Sequence, residues 1–230
     1  MLEAVSLIDR LSPHAKDVGR QIAIGETSEL LPQLHRELLA SLNGFTVQNG
    51  TRRLFGVGRG DSLDLDWWND IETWRFAWDD RVDPYLFFGA TAWGDQFAYR
   101  RSEAGELEPT VYFLEGVLLR ARVWAESFSD FAESELLRVA ADPYDPLATE
   151  AVNRYGPLNI ENLWNFAPSI ALGGDDSVDN VMSLPAQTAM VFAGDIASGL
   201  ESSLPDAWPT GVEPWKDARG IQRLRVLFDR

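Results

Sequence analysis

Between positions 61 and 83 the chain carries Asp61, Asp64, Asp66, Asp70, Glu72, Asp79, Asp80 and Asp83 against only Arg75 and Arg81. Carboxylates at that density can do three kinds of chemistry. Two at a fixed separation can act as acid and base on a glycosidic bond. Several oxygens converging on a loop can hold calcium. A field of unpaired charge can steer a basic macromolecule. Spacing argues against calcium, because DSLDLD puts Leu63 and Leu65 where oxygen ligands belong and lacks the central glycine of a calcium loop. Nothing in the spacing marks an acid–base pair. Asp95, next to Gly94, is a lone carboxylate, and Gly-Asp is a turn former before it is a catalyst.

Composition removes other chemistries. The chain has no Cys, which excludes disulfides, thiolate zinc sites and thiol nucleophiles. Its two histidines, His14 and His35, lie after Pro13 and inside a helical pattern, so surface or packing roles are expected for them, with no metal site and no cofactor. The formal charge of -16, from 36 acidic and 20 basic residues, repels nucleic acid and anionic membrane, and it either serves only to keep the chain soluble or favours a basic protein partner. No basic n-region opens the chain, and no apolar run reaches the ~18–20 residues of a membrane span. A cytoplasmic monomer or small oligomer is expected.

The elements that must position the acidic stretch read as follows. Leu2, Val5, Ile8 and Leu11 recur at threes, a short helix ended by Pro13. Leu31, Leu34, Leu38 and Leu42 form the stripe of a second helix, flanked by Leu30 and Leu39, with Pro32 in the first turn and Asn43-Gly44 as a left-handed stop. The glycines of GVGRGD are not followed by the Lys-Ser/Thr of a phosphate loop. Trp67, Ile71, Trp74 and Trp78, spaced four, three and four, predict an acidic helix whose indole face packs on a sheet.

From Pro84 the period becomes extended. YLFFGATA, QFAYRR, TVYFLEG and LLRARVWA are four strand-like runs with short connections, an antiparallel meander. Phe87, Phe97 and Tyr99 supply its buried faces, and Ser127 caps a helix whose Phe128 and Phe131 face the sheet. The whole is an α+β domain with a one-sided antiparallel sheet of about four to six strands flanked by helices, over residues 1–140. Residues 141–230 form a mostly helical extension packed on it. Within the extension, DPLATEAVNRYG is a helix closed by Gly156, NIENLWNF starts a helix capped by Asn159, and FAPSIALGGDDSVDN is a connection. A further helix has a small-residue face built from Ala186, Ala189, Met190, Ala193, Ile196, Ala197 and Leu200. The basic KDARGIQRLRVLFDR is ambiguous between helix and strand and can pair with the acidic stretch.

Leu31-Pro32, Leu38-Leu39 and Asn43-Gly44-Phe45 are followed in order by Leu86-Phe87-Phe88-Gly89 and Gly94-Asp95-Gln96-Phe97-Ala98-Tyr99. Val111-Tyr112-Phe113 and Ser127-Phe128 with Phe131 complete the set. This order resembles the SUKH superfamily, which includes bacterial immunity proteins and a fungal cell-wall regulator. The likeness spans about residues 28–139; the insert over 59–82 is longer and richer in tryptophan than the family pattern, and some ninety residues follow the matched region.

The resemblance implies a non-catalytic module that binds and neutralises a cognate toxin. Charge adds that the partner is basic. The residues expected to meet it are Asp61, Asp64, Asp66, Asp70, Glu72, Asp79 and Asp80, with Trp67 or Trp68 as an apolar anchor. Two alternatives stand beside this reading: an adaptor in a phage or secretion-type assembly, and a carboxylate-dependent carbohydrate hydrolase.

Overall fold

The computed structural model describes residues 3–142, 144–204 and 206–229. Its centre is a six-stranded antiparallel sheet whose spatial order follows the chain, β1(Phe45–Val47), β2(Arg52–Leu54), β3(Tyr85–Thr91), β4(Gln96–Arg101), β5(Leu107–Leu114) and β6(Ala121–Ala125). The four expected runs are the last four strands. The fold is α+β, as the change of period at Pro84 predicts.

The sheet is covered on both faces, not one. On the first, Phe88 and Tyr99 stack with ring centroids 4.4 Å apart, and Phe131 meets Phe88 edge-on at 5.2 Å. This layer comes from α1(Ala4–Leu11), α2(Gln33–Ser41) and α4(Phe128–Phe131), the last continuing through a π turn into α5(Arg138–Ala141). Ser127 caps α4 by accepting from the Asp130 amide at 3.2 Å. Gly44, with φ 68°, makes the left-handed stop after α2 at no steric cost. The expected face of α1 shifts: Leu7 and Leu11 are buried, whereas Val5 is 70% exposed. A repeat of three drifts round a 3.6-residue helix, so the pair four apart keeps its face. Leu2 lies outside the described residues.

Tryptophans cover the second face, but not from one helix. α3(Leu65–Asn69) stops after five residues, and single 3₁₀ turns follow at Arg75–Ala77 and Asp79–Val82. The break has a cause in Asn69. Its side chain donates to the Phe87 carbonyl at 2.7 Å and accepts from the Phe87 amide at 2.9 Å, so it pairs like a strand segment with β3 and competes with helix continuation. Trp74 then packs on Phe87 at 5.2 Å, and Trp78 donates its indole N–H to the Met190 carbonyl at 2.8 Å.

Met190 belongs to α7(Ala186–Glu201), whose small-residue face permits the close approach expected of it: a Cβ on Gly194 would sit 2.5 Å from the Ala77 carbonyl oxygen. α6(Pro146–Tyr155) begins at an Asp145 cap and ends at Gly156. Beside these two helices the C-terminal region holds two antiparallel pairs, β7(Asn162–Phe166) with β8(Val181–Pro185), and β9(Pro209–Lys216) with β10(Gln222–Phe228). NIENLWNF is therefore a turn and a strand rather than a helix start. The Asn159 carboxamide accepts from the Glu161 amide at 2.9 Å in a local turn, and Trp164 N–H donates to the Ala92 carbonyl at 2.8 Å, which draws the segment onto the end of β3.

Arg53 of β2 joins the two regions. Its guanidinium donates to the carbonyls of Ile160 at 2.7 Å and Asn159 at 3.3 Å, and also to that of Asn162. Burial lowers its pKa to about 10.

Candidate functional site

Two surfaces have the geometry of a site. The first is the acidic stretch, and the structure divides its residues into two groups. Asp64 and Trp68 are interior, which removes them from any partner surface. Asp64 takes four backbone N–H groups: Asp66 and Trp67 at 3.0 Å on one oxygen, Arg59 at 2.6 Å and Gly60 at 3.2 Å on the other. It caps α3 and at the same time fills the anion cradle of the GVGRGD loop with the chain's own carboxylate. Trp68 is 1% exposed and donates its indole N–H to Gln96 at 2.8 Å. Asp61 is half-buried and held by both arms of Arg59, at 2.9 and 2.7 Å.

The remaining expected residues stay at the surface. Asp66, Asp70, Glu72, Asp79 and Asp80 are exposed, as are Trp67 at 37% and Ile71 at 50%. Trp67 is therefore the available anchor of the two. Among the described residues, Glu72 is paired with Arg219 and Asp79 lies 4.0 Å from Arg81, while Asp66, Asp70 and Asp80 have no ion-pair partner. The Arg219 contact joins the basic C-terminal segment to the acidic stretch, as their opposite charges predict. The exposed acids thus sit on α3 and the turns after it, a segment whose Trp68, Trp74 and Trp78 are each essentially buried.

The second surface has no counterpart in the sequence reading. A cavity of about 730 Å³ lies between the β3–β4 turn, the β7–β8 pair, one side of α7 and the β9–β10 pair. Trp93, Trp164 and Phe166 form one wall, with Trp93 and Phe166 stacked at 5.1 Å; Phe192, Ala193 and Ile196 of α7 form another. Asp95 reaches it from the turn. The Asp95 carboxylate accepts from the Thr91 hydroxyl at 2.7 Å and from the Gly116 amide at 2.8 Å. Burial raises its pKa, with these two hydrogen bonds opposing the rise. Asn165, on β7, has a buried Nδ2 with no hydrogen-bond partner. Only the Gly94-Asp95 turn was a visible sign of this place, since its lining comes from segments more than a hundred residues apart.

A second carboxylate, Asp176, lines the same cavity as Asp95. The acid whose charge acts on Asp95 is Asp145, which accepts from the Ala148 amide at 2.9 Å and from the Trp93 indole at 2.9 Å, and lines a separate, smaller cavity of about 90 Å³. His35 is buried in the first layer, stacked on Phe128 at 4.1 Å with Nδ1 3.0 Å from the Tyr99 hydroxyl, in the packing role expected of it. Among the described residues no three His, Asp or Glu side chains converge as a metal site, and no helix is long and apolar enough to cross a membrane.

No family model matches the chain, and no curated protein is similar to it. A solved structure, described as the crystal structure of Atu4351 from Agrobacterium tumefaciens, superposes with a TM-score of 0.58 at 12% identity, covering 96% of this chain and 96% of that one. At that identity the likeness is one of fold, and it runs through the C-terminal region as well as the six-stranded sheet.

Proposed function

We propose that this protein is a binding module, not a catalyst, and that it neutralises a basic protein toxin as an immunity protein of the SUKH type. One observation carries the reading: Asp66 and Asp70, next in the chain to the exposed Trp67 and Ile71, and Asp80 further on are exposed with no ion-pair partner among the described residues, in a segment that buries three tryptophans. Charge left unpaired on a rigid support is available to a partner without prior rearrangement, and an adjacent indole supplies desolvated contact area. A chain of net charge -16 attracts a basic surface over several ångströms and accelerates encounter. The SUKH reading rests on the ordered motifs of residues 28–139, which resemble that superfamily.

The test is co-purification from the native cell at low and high salt, followed by expression of the recovered partner alone and with this protein. A near-equimolar basic partner, toxic alone and harmless in the pair, is the expected result. Asp66→Lys with Asp70→Lys should then slow association and flatten its salt dependence. Recovery in a large multi-copy assembly would instead make the protein an adaptor.

A further inference from the structure

We propose that the cavity behind the β3–β4 turn is a binding site for a small apolar amine. The site is separate from the acidic face, since Gly194 of α7 packs on Ala77 of that segment while Phe192, Ala193 and Ile196 line the cavity.

Size and charge each narrow the ligand. A volume of about 730 Å³ lined mainly by aromatic and aliphatic side chains lies within the range of small-molecule pockets. Among the described residues, the ionisable side chains that line it are Asp95 and Asp176, with no Lys, Arg or His, and the Arg52 guanidinium, outside the lining, acts on Asp95. An anionic ligand such as a nucleotide or a fatty acid would therefore meet carboxylates with no cation among the described lining residues. A cation meets the opposite situation at Asp95. Each Asp95 oxygen already accepts one hydrogen bond and retains lone-pair capacity for another, and burial penalises the carboxylate's charge, so a neighbouring ammonium restores the stabilisation that water no longer provides.

The probes are N-(2-aminoethyl)-2-naphthamide and N-(2-naphthoyl)glycine, which share an apolar ring and an amide carbonyl but end in an ammonium and a carboxylate. Titration calorimetry of each into the full chain is expected to show saturable binding of the amine, tighter than the carboxylate by about tenfold or more. Asp95→Asn should remove that preference. Ala193→Phe, which fills the cavity from α7, should abolish binding while thermal unfolding and circular dichroism show the fold intact. Equal or reversed preference, amine binding that survives Ala193→Phe, or no saturable binding of either probe would overturn the assignment. A failure here leaves the acidic face untouched, because Asp66 and Asp70 do not line the cavity.

Discussion

Arg223 of β10 grips Asp195 of α7, with its Nε 2.9 Å from each carboxylate oxygen, and the same carboxylate accepts the Leu224 amide at 2.7 Å. The pair fastens the last hairpin to the helix that forms one wall of the cavity. Asp195 is buried, so removing its partner strands a charge away from water. Arg223→Ala is expected to destabilise the protein by about 3 kcal/mol, and the double variant with Asp195→Ala by less than the sum of the two single changes. Urea unfolding of the four proteins in the cycle measures the coupling.

His35 gives the fold a pH dependence. Burial lowers its pKa to about 3 from an ordinary value of 6.5, so the folded chain keeps it neutral while the unfolded chain protonates it near pH 6.5. The unfolded state therefore binds more protons below that pH. The stability that neutral His35 permits is complete above about pH 6.5 and falls by about 1.4 kcal/mol per unit as pH drops towards 3. Unfolding free energies between pH 7 and 4 should show this slope, and His35→Phe should lessen it.

Arg53 makes a third prediction. Its hydrogen bonds reach three main-chain carbonyls of the C-terminal region, and a lysine has neither the planar fork nor the number of donors to serve them. Arg53→Lys should cost about 2 kcal/mol or more, and Arg53→Met at least as much, because the carbonyls lose their donors in the interior. Hydrogen exchange should localise the loss to the turn before β7 and to β7 itself.

The tryptophans of the acidic stretch should separate by role. Trp78→Ala removes a buried indole and its hydrogen bond to Met190, with an expected cost of about 3–5 kcal/mol. Trp67→Ala, at a side chain 37% exposed, should cost much less in stability and should instead weaken the partner complex. Thermal melts combined with partner titration distinguish the two.

What the sequence made legible was local. The meander was readable because its strands follow one another across short turns, and α2, α4 and α6 because their caps and stops lie within a few residues of their apolar faces. What it hid was set at a distance. Asn69 ends α3 by bonding to Phe87, eighteen positions on, and no helical period reports that competitor. β7 and β8 pair Asn162 with Pro185 and Phe166 with Val181 across a long connection, so Asn159 looked like a helix cap. The acidic residues were readable as a group, but not the commitment of Asp64 to four amides or of Trp68 to the core. The cavity was least accessible of all, since its walls share no stretch of chain.

Arg53 also bears on how such a chain can diverge. It holds Asn159, Ile160 and Asn162 by their carbonyl oxygens, which every amino acid possesses, and not by their side chains. Mutations at those three positions are invisible to it so long as the turn keeps its shape, whereas a mutation at 53 is felt at once. Lineages descending from this protein should accordingly show one immobile arginine facing a turn whose letters drift freely, a contact that covariation between columns would not detect.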